Sequence, residues 1–195
     1  MFCRMPDYRY DVFFSYRRDV LTQDWVATVV ARLRFWLRQE LADDRSEIFW
    51  DYDGIDVGDS WPEALRLALR RSKCMVGLWS PTYFQSRWCV SEWESFRERE
   101  RILNLTDHGL IAPARYHDGE HFPEAARQVQ SADFAPYTST LKAFWDTSHA
   151  VEFENRIKDF AKRVALVVRR APEFQEWPVV DAEPTASAHV ELRRL

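Results

Sequence analysis

Four stretches of the sequence carry residue types that can do chemistry. Arg17 and Arg18 follow the apolar run YDVFFSY. A guanidinium just past a buried strand is the usual partner of a phosphate, although two such arginines are also an ordinary solvated surface pair. Residues 51–59, DYDGIDVGD, hold four aspartates and two of the chain's five glycines, Gly54 and Gly58. Glycine permits positive φ or a close backbone approach there. The alternating acids superficially resemble a calcium loop, but the twelfth position from Asp51, where a bidentate glutamate belongs, is Pro62. No metal is expected. Glu92 stands four residues after Trp88 in SRWCVSEW. By itself it is a first-turn helix acid that complements the helix dipole. His117 and His121 are four apart, yet Gly119 and Pro123 break the helix that would align them, and no cysteine is near. They read as a polar surface loop.

These groups need a scaffold, and the hydrophobic pattern supplies one. Residues 10–16 are too continuously apolar for a half-exposed strand and predict a central parallel one. Over 22–41 the period is helical: Val26, Val29, Val30, Leu33 and Leu37 make one stripe, with Arg32, Arg34 and Arg38 off it. A short strand is expected over 47–50. Ser60-Trp61-Pro62-Glu63 has capping-box spacing with proline in the first turn. It predicts a helix to about residue 71 with Leu65, Ala68 and Leu69 inward. A second central strand follows over 73–79 and is broken by Ser80-Pro81. A charged helix is expected over 88–103 on the apolar line Cys89, Trp93, Phe96 and Leu103. Further strands are expected over 110–115 and near 133–135. A last helix over 151–169 buries Phe153, Ile157, Phe160, Val164 and Val167 or Val168.

The alternation of strand and helix is the pattern of a parallel α/β sheet. In such sheets ligands bind outside the carboxyl ends of the strands. Arg17, Arg18, the 51–59 loop and Glu92 all fall at that edge. Residues 1–9 are expected to be a flexible lead and 10–170 one domain. Residues 171–195, with three prolines and no apolar period, are expected to be a tail or linker.

Composition bounds the function. Hydrophobic residues make 46% of the chain and aromatics 15%, enough for a substantial core. A net charge of −4 gives no electrostatic reason to expect nucleic acid. Cys3, Cys74 and Cys89 are an odd number without metal or redox spacing, which fits buried free thiols in a reducing compartment. There is neither a signal-peptide pattern nor an apolar run long enough to span a membrane, so a cytoplasmic location is expected. The nucleotide-fold fingerprint, the P-loop and the nucleophile elbow are all missing. A phosphorelay receiver would need an acidic pair where this chain has Ser15-Tyr16-Arg17-Arg18.

Three ordered motifs, YDVFFSYRR, FWDYDGIDVGDSW and SRWCVSEW, resemble those of the Toll/interleukin-1 receptor (TIR) domain family. The likeness covers roughly residues 9–170. It implies a flavodoxin-like five-stranded parallel sheet flanked by helices. It also implies one of two functions. Some members are adaptors that assemble through the acidic loop without chemistry. Others, among them many bacterial members, cleave NAD⁺ at the nicotinamide–ribose bond.

By that resemblance the catalytic glutamate is Glu92. Arg17 or Arg18 contacts the dinucleotide, as does Asp56, two residues before Gly58. Tyr16 and Trp88 stand within the same motifs, and Phe14 or Trp50 could stack on a base. Asp51, Gly54, Gly58 and Trp61 belong to the interaction loop. The chain departs from the family in carrying Trp61 where members vary, and in the 117–123 loop. A helix N-terminus near Glu92 would favour its ionised form. The expectation is therefore an NAD⁺ glycohydrolase that needs no cofactor or metal, with NAD⁺ as substrate. It would be switched on by self-association or by other TIR domains, with a separate sensor as a further partner. A bacterial defence effector fits that description. Linear and cyclic ADP-ribose both remain open as the product.

Overall fold

The computed structural model describes residues 7–50, 63–106 and 109–184 of the 195. Ten strands and α-helices follow in order among these residues. They are β1 (Tyr10–Tyr16), α1 (Gln23–Leu41), β2 (Ile48–Phe49), α2 (Glu63–Arg70), β3 (Ser72–Trp79), α3 (Arg87–Ile102), β4 (Ile111–Arg115), α4 (Glu124–Arg127), β5 (Ala132–Asp133) and α5 (Ser148–Arg169). The strands form one parallel sheet in the order β2-β1-β3-β4-β5. That is the flavodoxin-like order, whose switch point lies between β1 and β3.

Both faces are covered, which is why the strands read as unbroken apolar runs. Val12 and Phe14 of β1, with Cys74, Val76 and Leu78 of β3, join the cluster built by α1 and α5. Phe13 and the alternate β3 residues Met75 and Trp79 join the cluster under α2, α3 and α4. The α1 stripe is buried as its period requires, with Trp25 added. Leu65, Ala68 and Leu69 are the buried residues of α2. The buried face of α5 carries Phe153, Ile157, Phe160, Val164 and Val168, but the helix starts at Ser148, three residues before the sequence pattern.

The sharpest difference from the sequence reading lies after residue 170. Residues 171–184 were expected to begin a tail or linker. They have no regular secondary structure, yet they pack along α3. Trp177 is only 2% exposed. Its indole N–H donates to the Tyr8 hydroxyl at 3.0 Å. The backbone N–H groups of Val180 and Ala182 donate to the Ser95 and Ser91 hydroxyls, both at 2.9 Å. A segment tied by its backbone to serine hydroxyls needs no apolar period, so no periodic signal marks it in the sequence.

Trp177 and Phe96 flank Arg99, whose guanidinium lies 4.0 Å from the Phe96 ring centre and 5.4 Å from that of Trp177. Arg99 is fully buried and donates to the Leu69 and Ser72 carbonyls at 2.6 and 3.0 Å. A cation thus closes the carboxyl end of α2, where the helix dipole favours it. Burial pulls its pKa down to about 9, so it stays charged at neutral pH.

Candidate functional site

The site is assembled by the turn after β3. Residues 80–86 are folded by Tyr83 N–H to the Ser80 carbonyl and Ser86 N–H to the Tyr83 carbonyl, each 3.1 Å. They drive the Tyr83 ring wholly into the core. The segment is pinned from below by Trp79. That indole meets Phe84 at 5.5 Å, Trp93 at 5.9 Å and Phe122 at 6.2 Å in edge-on contacts. Gly77 makes room for it, since a Cβ there would stand 2.5 Å from the Trp79 indole nitrogen. Ser86 then caps α3, accepting from the Cys89 N–H at 3.5 Å.

Glu92 lies in the second turn of α3 and is 7% exposed. This corrects the expectation of a first-turn acid that complements the helix dipole: the helix starts at Arg87, a full turn before Glu92. A side chain holds it instead. The Ser15 hydroxyl donates to the Glu92 carboxylate at 2.5 Å. Ser15 in turn lies 2.7 Å from the Tyr83 hydroxyl. Ser15 spends its proton on the carboxylate, so Tyr83 is the donor to Ser15. Burial first, then the neighbouring acidic groups Cys89 and Glu92, push the Tyr83 phenol well above its ordinary value, which keeps that donor protonated.

Glu92 opens onto a cavity of about 190 Å³ at the carboxyl end of β1. Phe13, Phe14, Tyr16, Arg17 and Arg18 line it from β1 and just beyond, Phe49 and Leu65 from β2 and α2, and Ser86, Trp88 and Cys89 from the start of α3. Arg17 is exposed, while Arg18, Tyr16 and Trp88 are half-buried. Phe14 is a core side chain that shows the cavity little more than an edge. The Cys89 thiol points to the Tyr16 carbonyl at 3.5 Å, and burial pushes it up so that it stays protonated.

The structure therefore brings Phe14, Tyr16, Arg17, Arg18, Trp88 and Glu92 to one cavity. Trp50 is half-buried, with its ring centre 6.3 Å from that of Tyr16, and is not part of the lining. Asp51, Gly54, Asp56, Gly58 and Trp61 lie outside the described residues. Sequence reasoning did not single out Ser15 or Tyr83. Their signal was present as a lone serine among the inward residues of YDVFFSY and as the tyrosine of the Ser-Pro-x-Tyr turn. The His117 imidazole lies 2.9 Å from the Asp118 carboxylate at the surface, while nearby Phe122 is buried. Among the described residues, no group of three or more His, Cys, Asp or Glu is placed to hold a metal ion, and no helix is long and apolar enough to cross a membrane.

Residues 12–147 match the model of a protein family described as the TIR domain. Among solved structures, the chain is similar to the TIR domain of the Toll-related receptor TRR-2 from Hydra magnipapillata. That likeness has 17% identity and a TM-score of 0.47, and covers 77% of this chain and 98% of the other. It is also similar to the TIR domains of the activated Roq1 resistosome recognising the pathogen effector XopQ. Here identity is 19% and the TM-score 0.41, with coverage of 83% of this chain and 85% of the other. No curated protein sequence matches.

Proposed function

The chain belongs to the TIR domain family, and from that premise we propose that it is an enzyme that cleaves NAD⁺ at the nicotinamide–ribose bond. The observation that carries the proposal is the setting of Glu92: a buried carboxylate, hydrogen-bonded by Ser15, facing a cavity that two arginines also line. Burying an ionisable acid is costly and needs a reason. Charge stabilisation in a cleft is such a reason.

The chemistry follows from the groups present. The nicotinamide ring of NAD⁺ is a cation. When its bond to ribose C1′ breaks, the electron pair goes to the ring nitrogen and nicotinamide leaves neutral. The ribose is left with oxocarbenium character. The Glu92 carboxylate stabilises that positive charge, as carboxylates do in glycoside hydrolysis. Ser15, backed by Tyr83, fixes its orientation before the reaction. Arg17 and Arg18 offset the diphosphate charge. Tyr16 and Trp88 supply aromatic walls. A water adds to C1′ and its proton passes to solvent. Cys89, protonated and buried, is not the nucleophile.

In this reading the protein is a cytoplasmic bacterial defence effector, switched on by assembly with its own kind or another TIR domain under a separate sensor. Trp50 and Trp61 flank the acidic 51–59 loop in sequence, and aromatic groups dominate interface energies. The test is nicotinamide release from NAD⁺ across a hundredfold range of protein concentration. Release should rise faster than linearly with protein and be lost in Glu92→Gln. A Glu92→Gln protein cleaving at the wild-type rate removes Glu92 from the mechanism. No release at any concentration, with light scattering reporting assembly, identifies a scaffold that works through TIR–TIR contacts.

A further inference from the structure

We propose that a second cavity at the carboxyl edge of the sheet, across Arg17 from Glu92, holds the adenosine half of NAD⁺. The proposal deepens the NAD⁺-cleaving reading and rests on it. The cavity measures about 290 Å³ and lies among the connections that follow β1, β3 and β4, beside the start of α1. Arg17 lines both this cavity and the one holding Glu92. Neither alone reaches the ~300–1,000 Å³ usual for a ligand pocket, whereas the two together do. A dinucleotide is two nucleosides joined by a diphosphate. Two cavities that share Arg17 in their lining have the matching layout.

The walls of the second cavity suit a nucleoside. Tyr116 is half-buried and its ring is held against Trp25, edge to face, at 5.2 Å. Its backbone N–H donates to the Trp79 carbonyl at 2.8 Å, which fixes the main chain that carries the ring. An aromatic face held by such a ring contact is a stacking surface for a base. Thr22, Ser80 and Thr82, each bearing a hydroxyl, line the same space. Ser80 and Thr82 are 3.1 Å apart, already oriented by each other.

Asp19 sets the specificity. One of its carboxylate oxygens accepts the Leu21 N–H at 2.8 Å, which leaves the other to accept from a ligand hydroxyl. A carboxylate beside a ribose takes the 2′-hydroxyl of NAD⁺ and repels the 2′-phosphate of NADP⁺. Burial, with the charge of Asp19 second, holds the Tyr116 phenol above its ordinary value, so it remains a donor at neutral pH. Adenine held in this cavity is kept from folding back onto ribose C1′ at Glu92. Water is then the remaining nucleophile and the product is linear ADP-ribose.

The experiment is calorimetric titration of the full chain with ADP-ribose and with 2′-phospho-ADP-ribose, beside chromatography of the NAD⁺ products. ADP-ribose should bind the wild type, with affinity about tenfold weaker in Tyr116→Ala. The 2′-phospho compound should bind the wild type less tightly, with the gap narrowing in Asp19→Asn. Asp19 is exposed, so Asp19→Asn keeps the test alive if Tyr116→Ala unfolds. Unchanged ADP-ribose affinity in Tyr116→Ala, no discrimination against the 2′-phosphate, or a cyclic product would overturn the proposal. These readouts separate the two readings. NAD⁺ cleavage without an effect of Tyr116 or Asp19 leaves the enzyme and removes the adenosine site. ADP-ribose binding that depends on both residues, without any cleavage, does the reverse.

Discussion

The Ser15 hydroxyl donates to the Glu92 carboxylate at 2.5 Å, joining β1 to α3 across 77 residues of chain. Tyr83 stands behind it at 2.7 Å, so a hydroxyl chain from the core ends on the acid. Removing either hydroxyl tests whether this chain prepares Glu92 for reaction. Ser15→Ala should cost ~1–3 kcal/mol of stability, because it takes a donor from a buried acceptor. It should also lower kcat at least tenfold, ~1.4 kcal/mol of transition-state stabilisation, with KM little changed. Tyr83→Phe should show the same pattern more weakly. A kcat equal to wild type in Ser15→Ala, after correction for folded fraction, would make the hydrogen bond structural only.

Arg17 carries the next prediction. It is exposed and lines both cavities, so its removal should cost little stability. Arg17→Ala should lower kcat/KM for NAD⁺ by ~1.5–3 kcal/mol, about 10–150-fold, the scale of a hydrogen bond to a charged group. Arg17→Lys should recover only part, since an ammonium lacks the planar fork. Steady-state kinetics on the three proteins decides it. Equal kcat/KM in all three would return Arg17 to the solvated surface.

Much of this was legible in the sequence because its signal is periodic or local. The helical stripes of α1 and α5 and the apolar runs of β1 and β3 are patterns of burial, and burial is what the sheet imposes. Arg17, Arg18, Trp88 and Glu92 come together because they follow strands or begin a helix at one edge of a parallel sheet. What escaped depends on distant partners. No local pattern says that Ser15 will meet residue 92 or that Tyr83 will turn inward. The burial of Glu92 also escaped, because the helix register alone puts it beside the apolar line, and the walls that bury it come from β1 and the turn after β3. Residues 171–184 escaped because serine hydroxyls and one tryptophan hold them.

That segment gives a third prediction. Trp177→Ala should destabilise the fold by ~3–5 kcal/mol, the usual cost of truncating a buried large aromatic. It removes a hydrogen bond from Tyr8 and one aromatic wall from Arg99. The effect should appear as a lower urea midpoint, with NAD⁺ cleavage per folded molecule retained. A loss below ~1 kcal/mol would mean that residues 171–184 add little to the domain they cover.

The last prediction concerns alkaline pH. Burial pushes the Cys74 and Cys89 thiols up from their ordinary 9.0, and the Tyr83 phenol well above its ordinary 10.0. Each group keeps its proton longer in the folded chain than in the unfolded one. Its contribution is therefore complete below the unfolded value and is lost as pH climbs toward the folded one. The loss starts near pH 9 with the thiols and steepens near pH 10 with the phenol, at ~1.4 kcal/mol per pH unit for each group. Arg99 works in the opposite sense. Its folded pKa falls from 12.5 to about 9, so the folded chain releases that proton first and gains stability above pH 9 at the same rate per unit. One gain stands against three losses, and the raised phenols of Tyr8 and Tyr116 add to the losing side. The melting temperature should accordingly be level from pH 7 to about 9 and fall beyond it. Cys74→Ala should lower the whole curve, because it empties a packed site, and should flatten its alkaline limb. A melting temperature that holds or rises to pH 10.5 would show that Arg99, rather than the buried thiols and phenol, governs the alkaline response.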